Sequence, residues 1–133
     1  MKRTALGTVA ALLLSVSLVA CSEETPAVCT SVDDLRTSVD SVRDVDIRSS
    51  GALGELQDGL AAVKSDLATV RDDAADEFSS QIDTVQAGIA ELERSFRAAQ
   101  DAVSADTLSA VANAVSTLGR DVQSLIDDIR ATC

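Results

Sequence analysis

From Val28 to Ile129 the apolar residues fall into four runs whose steps alternate between three and four. Val28, Val32, Leu35, Val39 and Val42 form the first, and Leu53, Leu56, Leu60, Val63, Leu67 and Val70 the second. The third is Ile82, Val85, Ile89, Leu92 and Phe96; the fourth is Leu108, Val111, Val115, Leu118, Val122, Leu125 and Ile129. Such steps return to one side of a helix every 3.5 residues on average, so each run predicts a helix with one apolar stripe and a polar remainder. No segment alternates with a period of two, so strands are not expected. Valine is a modest helix former, but the many alanines between stripe positions offset that. The predicted class is all-α.

Capping chemistry suggests where these helices start. Ser31 with Asp34, or Thr30 with Asp33, has the spacing to cap the first. The segment RSSGALG (48–54) breaks the pattern and offers Ser49 or Ser50 as the next cap. SADT (104–107) offers Ser104 before the last helix, with Asp106 in the first turn, where the helix dipole stabilises a carboxylate. The segment DDAADEFSSQID (72–83) decides the architecture. It holds no Gly, Pro or Asn, and Ala74, Phe78 and Ile82 extend the stripe in steps of four, a stutter that a continuous helix can carry. Ser80 with Asp83, however, has capping spacing and marks a break. A continuous helix from about 52 to 101 would be ~75 Å long, with two shorter helices folded back along it. That rod buries little per residue. Four helices running up-down-up-down bury all four stripes in one core, so a small four-helix bundle is the expected fold and three helices with one long central helix the alternative.

The chain ahead of the helices differs in kind. Met1-Lys2-Arg3 is positive, and Ala5 to Ala20 carries no charge. A positive n-region, an apolar h-region and small residues are the grammar of a secretory signal. The run falls short of the ~20 residues that span a bilayer comfortably. It ends on Leu18-Val19-Ala20-Cys21, which resembles the lipobox of bacterial lipoproteins. The resemblance implies cleavage between Ala20 and Cys21, leaving Cys21 as the new N-terminus with diacylglyceryl on its sulfur, with or without an added N-acyl chain. Two chains anchor where a single one binds only marginally. The implied organisation is a signal peptide over 1–20, a lipidated tether over 21–28 and a helical domain over 29–133. The implied location is extracytoplasmic, on the outer face of the bacterial cell membrane. The tether holds the chain's single proline, Pro26.

Charge narrows the partners. Loss of Lys2 and Arg3 takes the net charge from −11 to about −13, a surface that repels nucleic acid and anionic head groups. No nucleic-acid partner is expected; a basic protein of the envelope is the kind such a surface attracts. Cys29 opens the first helix and Cys133 ends the chain. Outside the cytoplasm, two cysteines with no His and no CxxC spacing read as a structural disulfide. Closing roughly 100 residues contributes ~4–5 kcal/mol in the chain-entropy model, a useful supplement to a thin core with few aromatics. In either architecture the two cysteines meet.

The residue types that carry catalysis are scarce. The chain has no histidine, which removes the usual general base and the commonest metal ligand. With Cys29 and Cys133 oxidised no thiolate nucleophile remains. GxSxG, Walker-type and GxGxxG patterns are missing, so neither an enzyme nor a cofactor is expected. Carboxylate pairs do occur: Asp33-Asp34, Asp72-Asp73 with Asp76-Glu77, and Asp127-Asp128. In the bundle they gather at the disulfide end, with Asp72/Asp76 and Asp73/Glu77 one helical turn apart. Asp72, Asp73, Asp76 and Glu77 are thus weak candidates for a Ca²⁺ or Mg²⁺ site, and no metal site is assigned. Flanking Arg36, Arg71 and Arg130 and exposed helix ends fit a solvated acidic surface better. Asp40, Asp44 and Asp46 lack the spacing and glycine of an EF-hand. Gly59, Gly88 and Gly119 lie inside predicted helices, where glycine costs ~1 kcal/mol relative to alanine; they let helices approach closely or leave room for a ligand.

Lipobox, short tether, Ala-rich helices and terminal cysteine together resemble, in type, the small helical lipoproteins of Gram-positive bacteria. That likeness implies a place and no activity. The expected function is a membrane-anchored, non-catalytic helical interaction or scaffold module of the cell envelope. The alternative is a carrier of an apolar, lipid-like ligand between its helices. A carrier needs a cavity of ~300 Å³ or more, whereas a scaffold core is closed.

Overall fold

Each apolar run folds as one helix. The computed structural model describes residues 26–74 and 76–133; the expected signal segment, the expected cleavage and lipidation residues Ala20 and Cys21, and most of the expected tether lie outside the described residues. Helices α1 (Ala27–Arg43), α2 (Ala52–Asp73), α3 (Ser79–Asp101) and α4 (Ala105–Arg130) follow one another, with a 3-10 turn, Asp76–Phe78, ahead of α3. α1 packs against α2 and α3 against α4 as antiparallel hairpins. α1 also runs along α4, and α2 lies more loosely beside α3. The result is the up-down four-helix bundle, and the three-helix rod is ruled out by the break between α2 and α3. Ala74 is extended there (φ −79°, ψ 148°). A break at this point lets the apolar stripe of α3 fold back onto the core that the other three stripes share.

The stripes supply that core. Val32, Leu35, Val63, Val70, Val85, Leu118, Val122, Leu125 and Ile129 are fully buried. α4 buries a second row as well, Ile126 and Gly119 beside Leu125 and Leu118, because it is packed on two sides, by α3 and by α1. Phe78 is buried from the 3-10 turn and caps the core at that end. No helix among the described residues is long and apolar enough to cross a membrane.

Three expected caps are replaced. α1 begins at Ala27 with Pro26 as N-cap and no side-chain cap, so neither Ser31 nor Thr30 starts it, and Ala27 and Val28 belong to the helix. Val28 and Cys29 are buried, and covering them draws the helix start upstream of both expected caps. Ser31 is instead a buried position within the helix. α2 is not capped by Ser49 or Ser50. Its N-cap is Gly51, in the left-handed region at φ +84°, where a side chain would be strained. Ser49 is engaged elsewhere, donating its hydroxyl to the Asp46 carbonyl at 2.8 Å. α3 likewise starts at Ser79, with Phe78 rather than Ser80 as N-cap and no side-chain cap. At α4 the expectation holds. Ser104 accepts from the Thr107 amide at 3.1 Å, while its own amide donates to the Thr107 hydroxyl at 2.9 Å, a reciprocal capping box, with Asp106 in the first turn.

Candidate interaction surface

Cys29 and Cys133 are brought together. Their Cα atoms are 6.4 Å apart and the residues are joined as a disulfide across a separation of 104 positions, within the usual range for such a bond. It ties the start of α1 to the end of the chain just beyond α4.

The carboxylates foreseen at this end do gather there, but not as a metal site. α2 ends at Asp73, and Asp76 and Glu77 belong to the 3-10 turn. Asp72/Asp76 and Asp73/Glu77 are therefore not a helical turn apart, because the chain extends at Ala74 between them. Asp73 accepts a hydrogen bond from Ser31. Asp33 pairs with Arg130, and Asp128 accepts from the Gln81 amide at 2.9 Å. Among the described residues no group of three or more His, Cys, Asp or Glu side chains is placed to hold a metal ion.

The three helix-interior glycines are positions of close approach. A Cβ at Gly59 would stand 2.7 Å from Val42 Cγ2, one at Gly88 3.3 Å from Leu118 Cδ1, and one at Gly119 3.0 Å from Arg43 Cδ. Each faces a neighbouring helix. At Gly59 and Gly119 the space is taken up by a side chain of the facing helix, whereas Gly88 also lines an open groove of about 340 Å³ between α3 and α4.

What faces solvent is mostly charge. Among the described residues, ion pairs engage Asp33, Asp40, Asp83, Glu91 and Glu93 and leave the other carboxylates without a cation. Lys64–Glu93 (2.7 Å) and Arg71–Asp83 (3.0 Å) bridge α2 and α3. These are exposed pairs, and such pairs contribute little stability. Along the same seam run two open grooves. One, of about 330 Å³, is lined by Leu60, Ala61 and Phe96 among others; the second, of about 360 Å³, by Leu67, Ala68, Ile89 and Ala90. The small alanines flanking the stripe leave these grooves uncovered, and α2 and α3 are the least closely packed adjacent pair of the bundle.

A larger cleft was not foreseen from the sequence. It opens at the end opposite the disulfide, where Ile47 sits in the polar connection DVDIR. An isoleucine off the helical period, in a segment otherwise rich in Asp and Arg, is the signal that could have found it. Comparison with protein-family models, with curated proteins and with solved structures finds no match to this chain.

Proposed function

We propose that this chain is a lipid-anchored protein on the outer face of a bacterial cell membrane, held through Cys21 and acting as a non-catalytic helical interaction module for a basic envelope protein. The observation that carries the interaction reading over the carrier reading is the filled interior. Leu35, Ile82, Leu118, Leu125, Ile126 and Ile129 are each under 2% exposed. Room of ligand size lies in open surface grooves instead. The uncompensated carboxylates on the helices give a basic partner a field to follow. Pro26 begins α1 at the disulfide end, so a tether from Cys21 sets that end toward the membrane. The acidic groups gathered there then hold the domain off anionic head groups.

Mass spectrometry of the native N-terminus tests the anchor. A lipid-modified Cys21 with residues 1–20 removed is expected, and Cys21→Ser should release or mis-process the protein. A mature protein starting elsewhere, or an intact apolar N-terminus, overturns this part. Crosslinking in intact cells tests the partner. A basic protein whose capture falls steeply between low and physiological salt is the expected result. A stoichiometric apolar molecule co-purifying with the delipidated domain would establish the carrier instead.

A further inference from the structure

The end of the bundle opposite the disulfide is formed by two connections, residues 44–51 between α1 and α2 and residues 102–104 between α3 and α4. Apolar side chains that escape full burial collect there. Val45, Ile47, Leu53 and Leu108 are only partly covered, and Val103 is 68% exposed. A cleft of about 500 Å³ lies between the first connection and the start of α4, lined by Ile47, Arg48, Ala105, Leu108, Ser109 and Ala112. A recess of about 120 Å³ shares Ile47 and Ala112 with it and reaches Val111, a fully buried core residue. The cleft thus leads from solvent toward the core.

Carboxylates accompany this apolar surface. Asp44, Asp46, Asp101 and Asp106 are all exposed at this end, and none forms an ion pair among the described residues. Of the cations nearby, Arg43 is engaged by Asp40, which leaves Arg48 to oppose four carboxylates. An apolar recess beside an excess of negative charge matches one chemistry, a bulky aliphatic side chain flanked by lysine or arginine. A second copy of this chain fits poorly, because its matching surface carries the same sign. We infer that this end of the bundle docks a cationic amphipathic segment of a partner protein. Aliphatic side chains of the segment enter the cleft, and its cations face Asp44, Asp46, Asp101 and Asp106. The inference rests on the proposal above that the partner is basic, and narrows it to the end farthest from the tether.

The test uses the lipid-anchored chain in nanodiscs of neutral phosphatidylcholine, with empty nanodiscs as the blank. Two probes are titrated at low salt, a short leucine–lysine peptide and a lysine-only peptide of equal charge. Peptide fluorescence anisotropy reads affinity, and hydrogen exchange reads the site. The leucine–lysine peptide should bind at least tenfold tighter and protect residues 44–53 and 102–112. Ile47→Ser with Val103→Ser should remove that tenfold advantage and leave the lysine-only peptide unchanged. Should the double variant lose helical circular dichroism, Val103→Ser alone, at an exposed position, should still weaken the leucine–lysine peptide about threefold. Asp44→Asn, Asp46→Asn and Asp106→Asn together should weaken both peptides. Equal affinity for the two probes, or protection spread along the helices, overturns the site and leaves the basic-partner reading standing. Absence of binding by either probe overturns that reading itself. Protection of the same end by self-association, without peptide, makes it a self-interface and overturns the inference.

Discussion

Gly59 carries no side chain because Val42 fills the space that one would need. Val42 is 2% exposed and, being β-branched, has few rotamers with which to yield. With a Cβ only 2.7 Å from Val42 Cγ2, Gly59→Ala forces α1 and α2 apart. Overpacking of this kind costs about 1–3 kcal/mol, against about 1 kcal/mol that alanine gains over glycine in a helix. The net expectation is a loss of up to about 2 kcal/mol. Gly54, in the first turn of the same helix, has open space where a Cβ would stand, with nothing within 4 Å. Gly54→Ala should therefore stabilise the fold by about 0.5–1 kcal/mol. Urea denaturation midpoints of the two variants check this, and a stabilised Gly59→Ala protein would show that the helices do not approach as described. Gly119 is intermediate, since the Arg43 arm that a Cβ would meet at 3.0 Å is flexible and can swing away. The sequence left these glycines with two meanings, close approach or ligand space. Only the facing residues, which lie on other helices, decide between them.

Between α1 and α2 the contacts repeat. Ser31 donates to Asp73, and Ser38 donates to Asp66. The two serines are seven residues apart and so are the two aspartates, in opposite chain directions, which is the register of an antiparallel heptad pair. Shifting α1 by one turn against α2 would break both bonds at once, so the pair specifies the hairpin's register in a way that its valine and leucine stripes do not. The Ser38–Asp66 bond is partly shielded from water, and a hydrogen bond to a charged group contributes about 1.5–3 kcal/mol. A double-mutant cycle of Ser38→Ala and Asp66→Asn should give a coupling of about 1 kcal/mol or more. A coupling near zero would mean that stripe packing alone sets the register. The four stripes were legible because periodicity is a local property of each helix. Cap positions were legible only where local chemistry decided them, as at Ser104. At α1 the burial of Val28 and Cys29 overrode the Ser31 and Thr30 signals, and at α2 the left-handed Gly51 took the place of the serines. The Ser–Asp pairs were hidden because they need the register between helices, which neither helix carries alone.

As a whole molecule, the bundle is two hairpins with both of their covalent links at one end. One link is the connection between α2 and α3; the other is Cys29–Cys133, which joins α1 to the chain end beyond α4. That the cysteines would meet was legible in the sequence, since both the up-down bundle and the long-helix rod bring the start of α1 to the end of α4. The cleft at the opposite end was not, because it arises where the two hairpins stop and Ile47 and Leu108 are left half-covered. The two halves do not lean on each other evenly. α1 lies along α4, whereas α2 and α3 meet over alanines with open grooves between them. The disulfide therefore fastens the tighter α1–α4 seam at the same end where the chain itself joins α2 to α3. Reduction returns to the unfolded chain the freedom of a loop of roughly 100 residues, about 4–5 kcal/mol in the chain-entropy model. For a domain of this size each kcal/mol moves the midpoint by about 4–8 °C, so the melting temperature should fall by at least ~10 °C. Helical circular dichroism at room temperature should persist, because the stripes, not the bond, specify the helices. Hydrogen exchange should then quicken first at the start of α1 and the last turn of α4, the segments that the bond pins. An unchanged melting temperature would mean that the bond constrains nothing. Loss of helix on reduction would mean that the four stripes cannot hold the bundle without it.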